Sequence, residues 1–430
     1  MAVMKTVVIL SRRVMNNVPP NCSFSTGVLR CAAADAAAKD SPHNRKKELF
    51  DRDKLCINVG TLGASQHGKT TLSSAFTRVL SQSHGVPFLN IGDIDHTKLE
   101  KDNKHSQNTK NLYWWTDDWF VAHSDLPGLS NYAKNTWAPL SVLDAVLLCV
   151  RADKGVAKET FIHYHVAKHM GVPTILPFIN VCGEEDEELA DFVKMELEEH
   201  FTAEEMNRAV VGNAVDAQTG KNDAAVLSVI DALKRDLSLR PRDVDAPFLL
   251  QVESSGDIPN KGHFTGGRVV QGTTKTGDKD LEVFVGGITS KVVFQLDLEI
   301  NRAITSELRP GDRGGGWIKK ANKIVEIRRG SLIYDHETVK EGWKASRTWK
   351  VRVQGIPGQG LATIAENQRA TLYHRGNNES VNMPACAVSD KHDFVLNVAL
   401  KQEILAKIGD PIILGKTEGF LLLGHLLDAI

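Results

Sequence analysis

The sequence predicts an α/β domain, in which helices cover a parallel sheet, followed by two β-barrel domains. In residues 55–237, apolar runs of strand length alternate with helical runs, and this alternation is typical of parallel sheets with helical crossovers. The strand-like runs are apolar throughout, as strands buried on both faces are. After Ala246 the runs become short and are separated by glycines, a pattern typical of β-barrels.

The composition is that of an ordinary soluble globular protein with a large core. Of the 430 residues, 42% are hydrophobic and 24% are charged. The net charge of −1 excludes a general electrostatic attraction to nucleic acid, so an RNA contact would need a local basic patch. The six cysteines form no C-x-x-C pair and no zinc-like spacing with histidine, which indicates reduced thiols and predicts no zinc site.

In the first folded domain, which we assign to residues 45–240, strands and helices follow one another in order. The first strand is predicted at 55–59 and the first helix at 71–80. The later elements are strands at 144–150 and 172–179 and helices at 159–170, 187–201 and 224–237. Residues 240–245 (R-P-R-D-V-D) indicate a linker.

The rest of the chain predicts short strands with turns between them. These strands lie at 248–252, 267–272, 281–285 and 292–298. The length of the region corresponds to two domains, which we assign to residues 246–341 and 342–430, with the joint after the turn-like stretch at 329–331.

The amino terminus differs in composition from the rest of the chain. Residues 1–34 contain Lys5, Arg12, Arg13 and Arg30 together with serines and apolar residues, but no acidic residue. This composition is typical of a mitochondrial transit peptide, which we assign to residues 1–44 and which predicts the mitochondrial matrix. The alternative is a disordered leader without a targeting role. Because its apolar run is short, we expect no membrane span.

Residues 63–70 read G-A-S-Q-H-G-K-T and match the phosphate-loop pattern G-x-x-x-x-G-K-[ST] between a predicted strand and a predicted helix. The glycines let the backbone approach phosphate oxygens, and the helix N-terminus supplies N–H groups and partial positive charge. Lys69 would reach the terminal phosphates and Thr70 would offer a hydroxyl to Mg²⁺. The predicted nucleotide-binding residues here are Gly63, Gln66, His67, Gly68, Lys69, Thr70 and Thr71.

With these features in place, the chain resembles mitochondrial elongation factor Tu from about Arg52 onward. Its residues 125–129 (D-L-P-G-L) correspond to the family's D-C-P-G-H, and residues 132–135 (Y-A-K-N) to its Y-x-K-N. The stretch 267–272 resembles a glycine-flanked barrel strand of the family, and 311–313 (G-D-R) stands where the family has G-[ED]-N. The resemblance implies a P-loop G domain, an α/β fold, followed by two β-barrel domains.

The resemblance also implies ligands and partners. It implies binding of GTP or GDP with Mg²⁺, with metal ligands from Thr70, Ser106 and Asp125 and further nucleotide contacts from Gly128, Asn180 and Ala214. The implied partners are aminoacyl-tRNA, the mitochondrial ribosome and a nucleotide exchange factor. A basic patch for tRNA could come from Lys319, Lys320 and Lys323, although a solvated loop is the simpler explanation for those lysines.

Two departures from the family concern the base and the phosphate chemistry. Residues 180–183 read N-V-C-G where the family's N-K-x-D selects guanine with its aspartate, and 213–214 read N-A in place of S-A. Losing a charged hydrogen-bond partner predicts about a hundredfold weaker guanine preference. Leu129 occupies the position of the histidine that orients the attacking water, so we expect slow hydrolysis and assign no catalytic residue.

The third departure lies in the first switch segment. Residues 103–106 read N-K-H-S where the family has R-G-I-T; Ser106 keeps a hydroxyl, but the glycine is absent. Nearby, Trp114, Trp115 and Trp119 predict the buried face of a β-hairpin, with a base-stacking platform as the alternative.

Three functions follow from these observations. The first is an elongation factor that binds GTP with Mg²⁺ and delivers aminoacyl-tRNA to the mitochondrial ribosome with weakened hydrolysis. The second is a diverged paralogue that acts as a binding module on a ribosomal or other mitochondrial partner, with or without nucleotide. The third is a P-loop enzyme for a nucleotide other than GTP, such as ATP.

Overall fold

The computed structural model describes residues 49–94, 109–128, 133–183, 186–258, 262–278, 280–320, 326–340, 342–358, 360–415 and 420–430. In this part of the chain, a mainly parallel sheet with helices on both faces is followed by antiparallel β-sheet domains. The predicted fold class is confirmed. None of the described helices is long and apolar enough to cross a membrane.

The first sheet has six strands. They are β1 (Leu55–Leu62), β2 (Lys110–Trp115), β3 (Trp119–Asp125), β4 (Ala145–Arg151), β5 (Thr174–Asn180) and β6 (Val210–Gly212). Their order in space is β2-β3-β1-β4-β5-β6. All neighbours pair in parallel except β2 and β3, which form an antiparallel hairpin at the edge of the sheet. The sheet is therefore not wholly parallel, because the short turn at 116–118 leaves no room for a crossover helix.

Helices connect and cover these strands. They are α1 (Lys69–His84), α2 (Ile91–Ile94), α3 (Ala133–Trp137), α4 (Lys158–His169), α5 (Asp186–Glu198), α6 (Ala203–Asn207), α7 (Ala214–Thr219) and α8 (Ala224–Asp236), with 3₁₀ turns at Leu140–Val142 and Ala152–Lys154. On one face of the sheet, Phe76 of α1 and Val229 of α8 lie in a buried apolar cluster, and on the other face Tyr164 of α4 and Val193 of α5 do so. Burial on both faces explains why β4 and β5 are apolar throughout.

The second domain is an antiparallel sheet. Its strands are β7 (Leu249–Ile258), β8 (Gly262–Gln271), β9 (Thr274–Lys275), β10 (Leu281–Val285), β11 (Ile288–Ile300), β12 (Ala303–Thr305), β13 (Glu307–Leu308), β14 (Arg313–Lys320) and β15 (Leu332–Asp335). The seven-stranded sheet has the order β10-β15-β7-β8-β14-β11-β12, and β10 also pairs with β11. This additional pairing closes the sheet around its apolar interior.

The third domain contains eight strands, six of which form a closed barrel. Its strands are β16 (Trp343–Gly355), β17 (Ala362–Ile364), β18 (Gln368–His374), β19 (Asn377–Met383), β20 (Cys386–Val388), β21 (Phe394–Lys407), β22 (Pro411–Gly415) and β23 (Leu421–Ala429). The barrel order is β16-β21-β19-β18-β22-β23, and β17 pairs with β20 beside it.

Both β domains contact the α/β domain directly. The buried Arg268 of β8 donates from Nη1 to the Oδ1 of Asn58 in β1 and from Nη2 to the Oγ of Ser124 in β3, both at 2.8 Å. On the other side, the Nε2 of His169 lies 2.9 Å from the carbonyl oxygen of Gly424 in β23. The Arg268 contacts tie β1 and β3 to the second domain, and the His169 contact ties α4 to the third.

Candidate nucleotide-binding site

The loop between β1 and α1 is shaped by two glycines. Gly63 has a φ of +135° and Gly68 a φ of +89°, in the region that other residues rarely adopt. A Cβ at Gly63 would overlap the carbonyl oxygen of Cys149, and one at Gly68 would overlap the side-chain amide of Asn180. Gly68 is also the residue that precedes α1, so the helix begins directly at Lys69 with its N–H groups facing the loop. This is the geometry of a phosphate-binding loop.

Lys69 lies inside this loop. Its side chain is buried, and the Nζ donates to the carbonyl oxygen of Ala64 at 2.7 Å. A Cβ at Gly128, in the loop after β3, would overlap this ammonium group, so only glycine leaves room for it. A buried ammonium group is costly without an opposite charge, so this position is suited to an anionic ligand.

Thr70 and Asp125 meet at the end of the loop. The Thr70 hydroxyl donates to the Oδ2 of Asp125 at 2.8 Å, while Thr61 and Ser73 donate to its Oδ1 at 2.9 and 3.1 Å. Burial raises the pKa of Asp125, although these hydrogen bonds and the nearby Lys69 act in the opposite direction. A hydroxyl and a carboxylate side by side are hard oxygen donors, and this donor set fits Mg²⁺.

Gln66 and His67 form the outer turn of the loop. Gln66 has a φ of +62° and accepts a hydrogen bond from the Nζ of Lys154 at 3.0 Å. His67 is buried, and its Nδ1 accepts the backbone N–H of Arg151 at 3.3 Å. Burial, together with the charges of Lys69 and Lys154, lowers the pKa of His67 to about 4. His67 is therefore neutral at pH 7 and holds the loop against β4. Thr71 is the third residue of α1.

Asn180, at the end of β5, joins the loop to the segment before α7. Its Oδ1 accepts the backbone N–H of Ala214 at 3.1 Å, and its Nδ2 lies against Gly68. Asn213 caps α7 by accepting the N–H of Asp216 at 3.0 Å. The structure therefore brings Asn180 and Ala214 beside the phosphate loop, where the sequence predicts them to act.

The segment after Asn180 is held by a carboxylate that sequence reasoning did not single out. The Oδ2 of Asp186, at the start of α5, accepts the N–H of Cys182 at 2.8 Å and that of Gly183 at 3.2 Å. Among the described residues, no atom lies within 4 Å of a Cβ built at Gly183. The sequence signal for this contact was the acidic run at 184–188. Acidic residues are common at the start of a helix, so this run did not point to a particular contact.

Two predicted residues lie outside the described residues. These are Ser106, expected in the first switch segment, and Leu129, at the position of the water-orienting histidine. Of the predicted basic patch, Lys323 also lies outside them. The tryptophans are described: Trp114 is fully buried and stacks on Phe76 at 4.9 Å between ring centroids, on the hairpin of β2 and β3.

A strand, a glycine-rich loop with an inward-facing lysine, and a hydroxyl paired with a buried aspartate together define a P-loop nucleotide-binding protein. Comparison with known protein families shows which P-loop proteins this domain is similar to. Residues 54–254 match the family described as "Elongation factor Tu GTP binding domain". Over these residues the chain is therefore similar to that GTP-binding domain.

Solved structures show the same fold along most of the chain. A bacterial selenocysteine-specific elongation factor EF-Sec is similar over 86% of this chain and 58% of its own, with 22% identity and a TM-score of 0.63. Translation elongation factor SelB from Methanococcus maripaludis, in complex with the GTP analogue GppNHp, is similar over 88% of this chain and 80% of its own, with 16% identity and a TM-score of 0.65. This chain therefore spans less than two thirds of the EF-Sec chain.

Proposed function

We propose that this protein is a translation factor that binds GTP or GDP with Mg²⁺ and delivers aminoacyl-tRNA to the mitochondrial ribosome, with slow GTP hydrolysis. The observation that carries the proposal is the pairing of Thr70 with Asp125 beside the buried Lys69. Bound Mg²⁺ would neutralise phosphate charge, held by the oxygens of Thr70 and Asp125. Lys69 and the N–H groups at the start of α1 would bind and orient the phosphates.

Support for an aminoacyl-tRNA partner comes from the surface between the α/β domain and the second domain. A cavity of about 570 Å³ opens there, between strand β2 and strands β7, β8 and β14. Its lining includes the aromatic residues Tyr113 and Phe264 and the charged residue Arg313. Beside them, the cavity is lined by the backbone of four glycines, residues 266, 267, 314 and 315. Glycine backbone beside aromatic side chains suits a flat ring. The guanidinium of Arg313 is held in place by Glu253 at 2.6 Å and by the hydroxyl of Tyr113 at 2.7 Å. The relatives of known structure named above are elongation factors, one of them specific for selenocysteine.

Slow hydrolysis follows from Leu129. A leucine side chain can neither donate nor accept a hydrogen bond, so it cannot orient an attacking water. Positioned groups of this type contribute about 10²–10⁴-fold to hydrolysis. The mitochondrial matrix as the location rests on the composition of residues 1–44.

A second candidate is favoured by Gly183, which has no side chain with which to recognise a base. In this alternative the phosphate loop is retained, but the protein acts as a binding module on a ribosomal partner or uses another nucleotide, such as ATP. The two candidates differ in base selectivity, because a phosphate loop alone binds any nucleotide.

The test is equilibrium binding of GTP, GDP and ATP with Mg²⁺ to the full chain, repeated without residues 1–44. Lys69→Ala should weaken all three nucleotides, whereas Lys158→Ala, which removes an exposed lysine at the start of α4, should leave them unchanged. Selective GTP binding, together with protection of the ester of aminoacyl-tRNA from hydrolysis, supports the translation factor. Binding that ignores the base, without ester protection, supports the second candidate.

A further inference from the structure

A second cavity lies where the three domains meet, away from the nucleotide site. It has a volume of about 340 Å³ and is lined by residues 141, 142 and 170 of the α/β domain, 240–243 of the linker, 269–271 of the second domain, and 375 and 411 of the third. Three of these lining residues are arginines: Arg240, Arg242 and Arg375. Three guanidinium groups around one cavity place donors and positive charge on several of its sides.

The side chain of Arg240 has no carboxylate partner among the described residues. Its guanidinium donates only to backbone carbonyl oxygens, from Nε to Leu143 at 2.7 Å and from Nη2 to Leu140 and Met170, both at 3.1 Å. Burial lowers the pKa of Arg240 to about 10, and the nearby charges of Arg375 and Arg242 act in the same direction, while Asp144 opposes them. Carbonyl oxygens solvate a guanidinium but do not neutralise it. The opposing carboxylate, Asp144, accepts the backbone N–H of Arg240 at 3.1 Å and forms its ion pair with Arg242.

The other two arginines each have one carboxylate partner. Arg242 donates from Nη2 to the buried Asp144 at 2.7 Å, and its Nε is buried without a hydrogen-bond partner in the described part of the chain. Arg375 donates from Nε and Nη2 to Asp410 at 2.9 and 2.8 Å.

One carboxylate lines the cavity itself, that of Asp243. It is exposed and accepts the N–H of Ala246 at 3.0 Å, and no ion pair joins it to the three arginines in the described chain. The exposed position lets water screen its charge, whereas the half-buried guanidinium of Arg240 is screened less. The balance of poorly screened charge at this cavity is therefore positive.

We propose that this junction cavity binds a small anion of the phosphate class, such as inorganic phosphate or pyrophosphate. The anion would accept hydrogen bonds from the arginines of the linker and of the third domain at once. It would therefore stabilise the arrangement in which the three domains are packed together, since a ligand that binds one arrangement better shifts the population toward it. This proposal does not depend on which nucleotide the phosphate loop binds.

The phosphate loop must be excluded from the measurement, because it also binds phosphate. We would therefore titrate the full chain carrying Lys69→Ala with pyrophosphate, without Mg²⁺, by isothermal calorimetry. One binding site is expected. Adding Gln271→Glu, which places a carboxylate in the cavity wall, should weaken binding at least tenfold. Gln82→Glu adds the same charge at an exposed position of α1 and should leave the affinity unchanged.

The proposal is wrong if Lys69→Ala protein binds no pyrophosphate, or if the two glutamate variants bind it equally well. Should Gln271→Glu fail to fold, selenate soaked into crystals of the full chain provides the second measurement. An anomalous peak between Arg240 and Arg375 supports the site, and its absence at saturating selenate refutes it.

The same chemistry could come from the terminal phosphate of an RNA. A 5′-phosphorylated oligonucleotide that competes with pyrophosphate, when its unphosphorylated form does not, would show that the cavity accepts an RNA end. Failure of both oligonucleotides to compete leaves the free anion as the ligand.

Discussion

Replacing Gly183 with aspartate should give this protein a strong preference for guanine. The backbone at Gly183 is outside the left-handed region, and a Cβ there would meet no atom of the described residues within 4 Å, so a side chain can begin there without backbone strain. The substitution restores the carboxylate that the resembling family uses to accept two hydrogen bonds from the base.

The expected gain can be estimated from these contacts. Two hydrogen bonds to a charged acceptor contribute about 1.5–3 kcal/mol each. The neighbouring Asp186, whose Oδ2 accepts the N–H of Gly183 at 3.2 Å, opposes a second negative charge by about 1 kcal/mol in a hydrated site. The net gain is at least about 2 kcal/mol, which corresponds to about a thirtyfold increase in GTP affinity.

Competition against a fluorescent GDP analogue measures this gain as the ratio of the dissociation constants of ATP and GTP. Gly92→Asp is the matched control, because Gly92 is also exposed with open space at its Cβ and the variant carries the same charge. If the folded Gly183→Asp protein kept the wild-type ratio, residue 183 would not face the base, and the placement of the base beside the 180–183 segment would be refuted.

Three further perturbations test the surrounding structure. Thr70→Val should weaken Mg²⁺-dependent GTP binding at least tenfold in a Mg²⁺ titration, because it removes the hydroxyl beside Asp125. Burial lowers the pKa of His163 from 6.5 to about 3, so its contribution to stability is present above pH 6.5 and is lost as the pH falls. Below pH 6.5, the free energy of unfolding of the wild type should therefore fall by about 1.4 kcal/mol more per pH unit than that of His163→Leu, as measured by urea unfolding. Arg268→Met should cost about 3 kcal/mol of unfolding free energy, because the buried Arg268 is a partner of the half-buried Glu253 and of the buried Asn58 and Ser124; a cost under 1 kcal/mol would contradict this.

Continuous apolar runs made the α/β domain the most predictable part of the chain. The run predicted as a strand at 144–150 became β4 (Ala145–Arg151). The helix predicted at 187–201 ends at Glu198 instead, because Thr202 and Glu205 form a capping box that starts a separate short helix. The T-x-x-E spacing of this capping box is present in the sequence, but the helical pattern continues on both sides of it and so predicted a single helix.

Contacts between distant segments were beyond the reach of sequence reasoning. The phosphate-loop residues could be named because they are contiguous, and Asp125 and Asn180 because they stand in short motifs. No local pattern indicates that Arg268 reaches Asn58 and Ser124 across a domain boundary, or that Asp186 turns back to Cys182. These contacts depend on the tertiary structure, which brings together residues that no regular spacing in the sequence connects.

The two halves of the nucleotide site differ in how strongly the fold constrains them. In the phosphate half, Asp125 accepts hydrogen bonds from three side chains, and Gly63 and Gly68 have no room for a Cβ, so most substitutions there would also destabilise the domain. In the base half, Cys182 and Gly183 are exposed, and their backbone N–H groups are satisfied by Asp186 whatever their side chains are. Substitutions at 182 and 183 therefore cost little folding stability. Changes at 182 and 183 are therefore compatible with an intact phosphate loop, and this sequence combines the two: N-V-C-G at 180–183 with G-A-S-Q-H-G-K-T at 63–70.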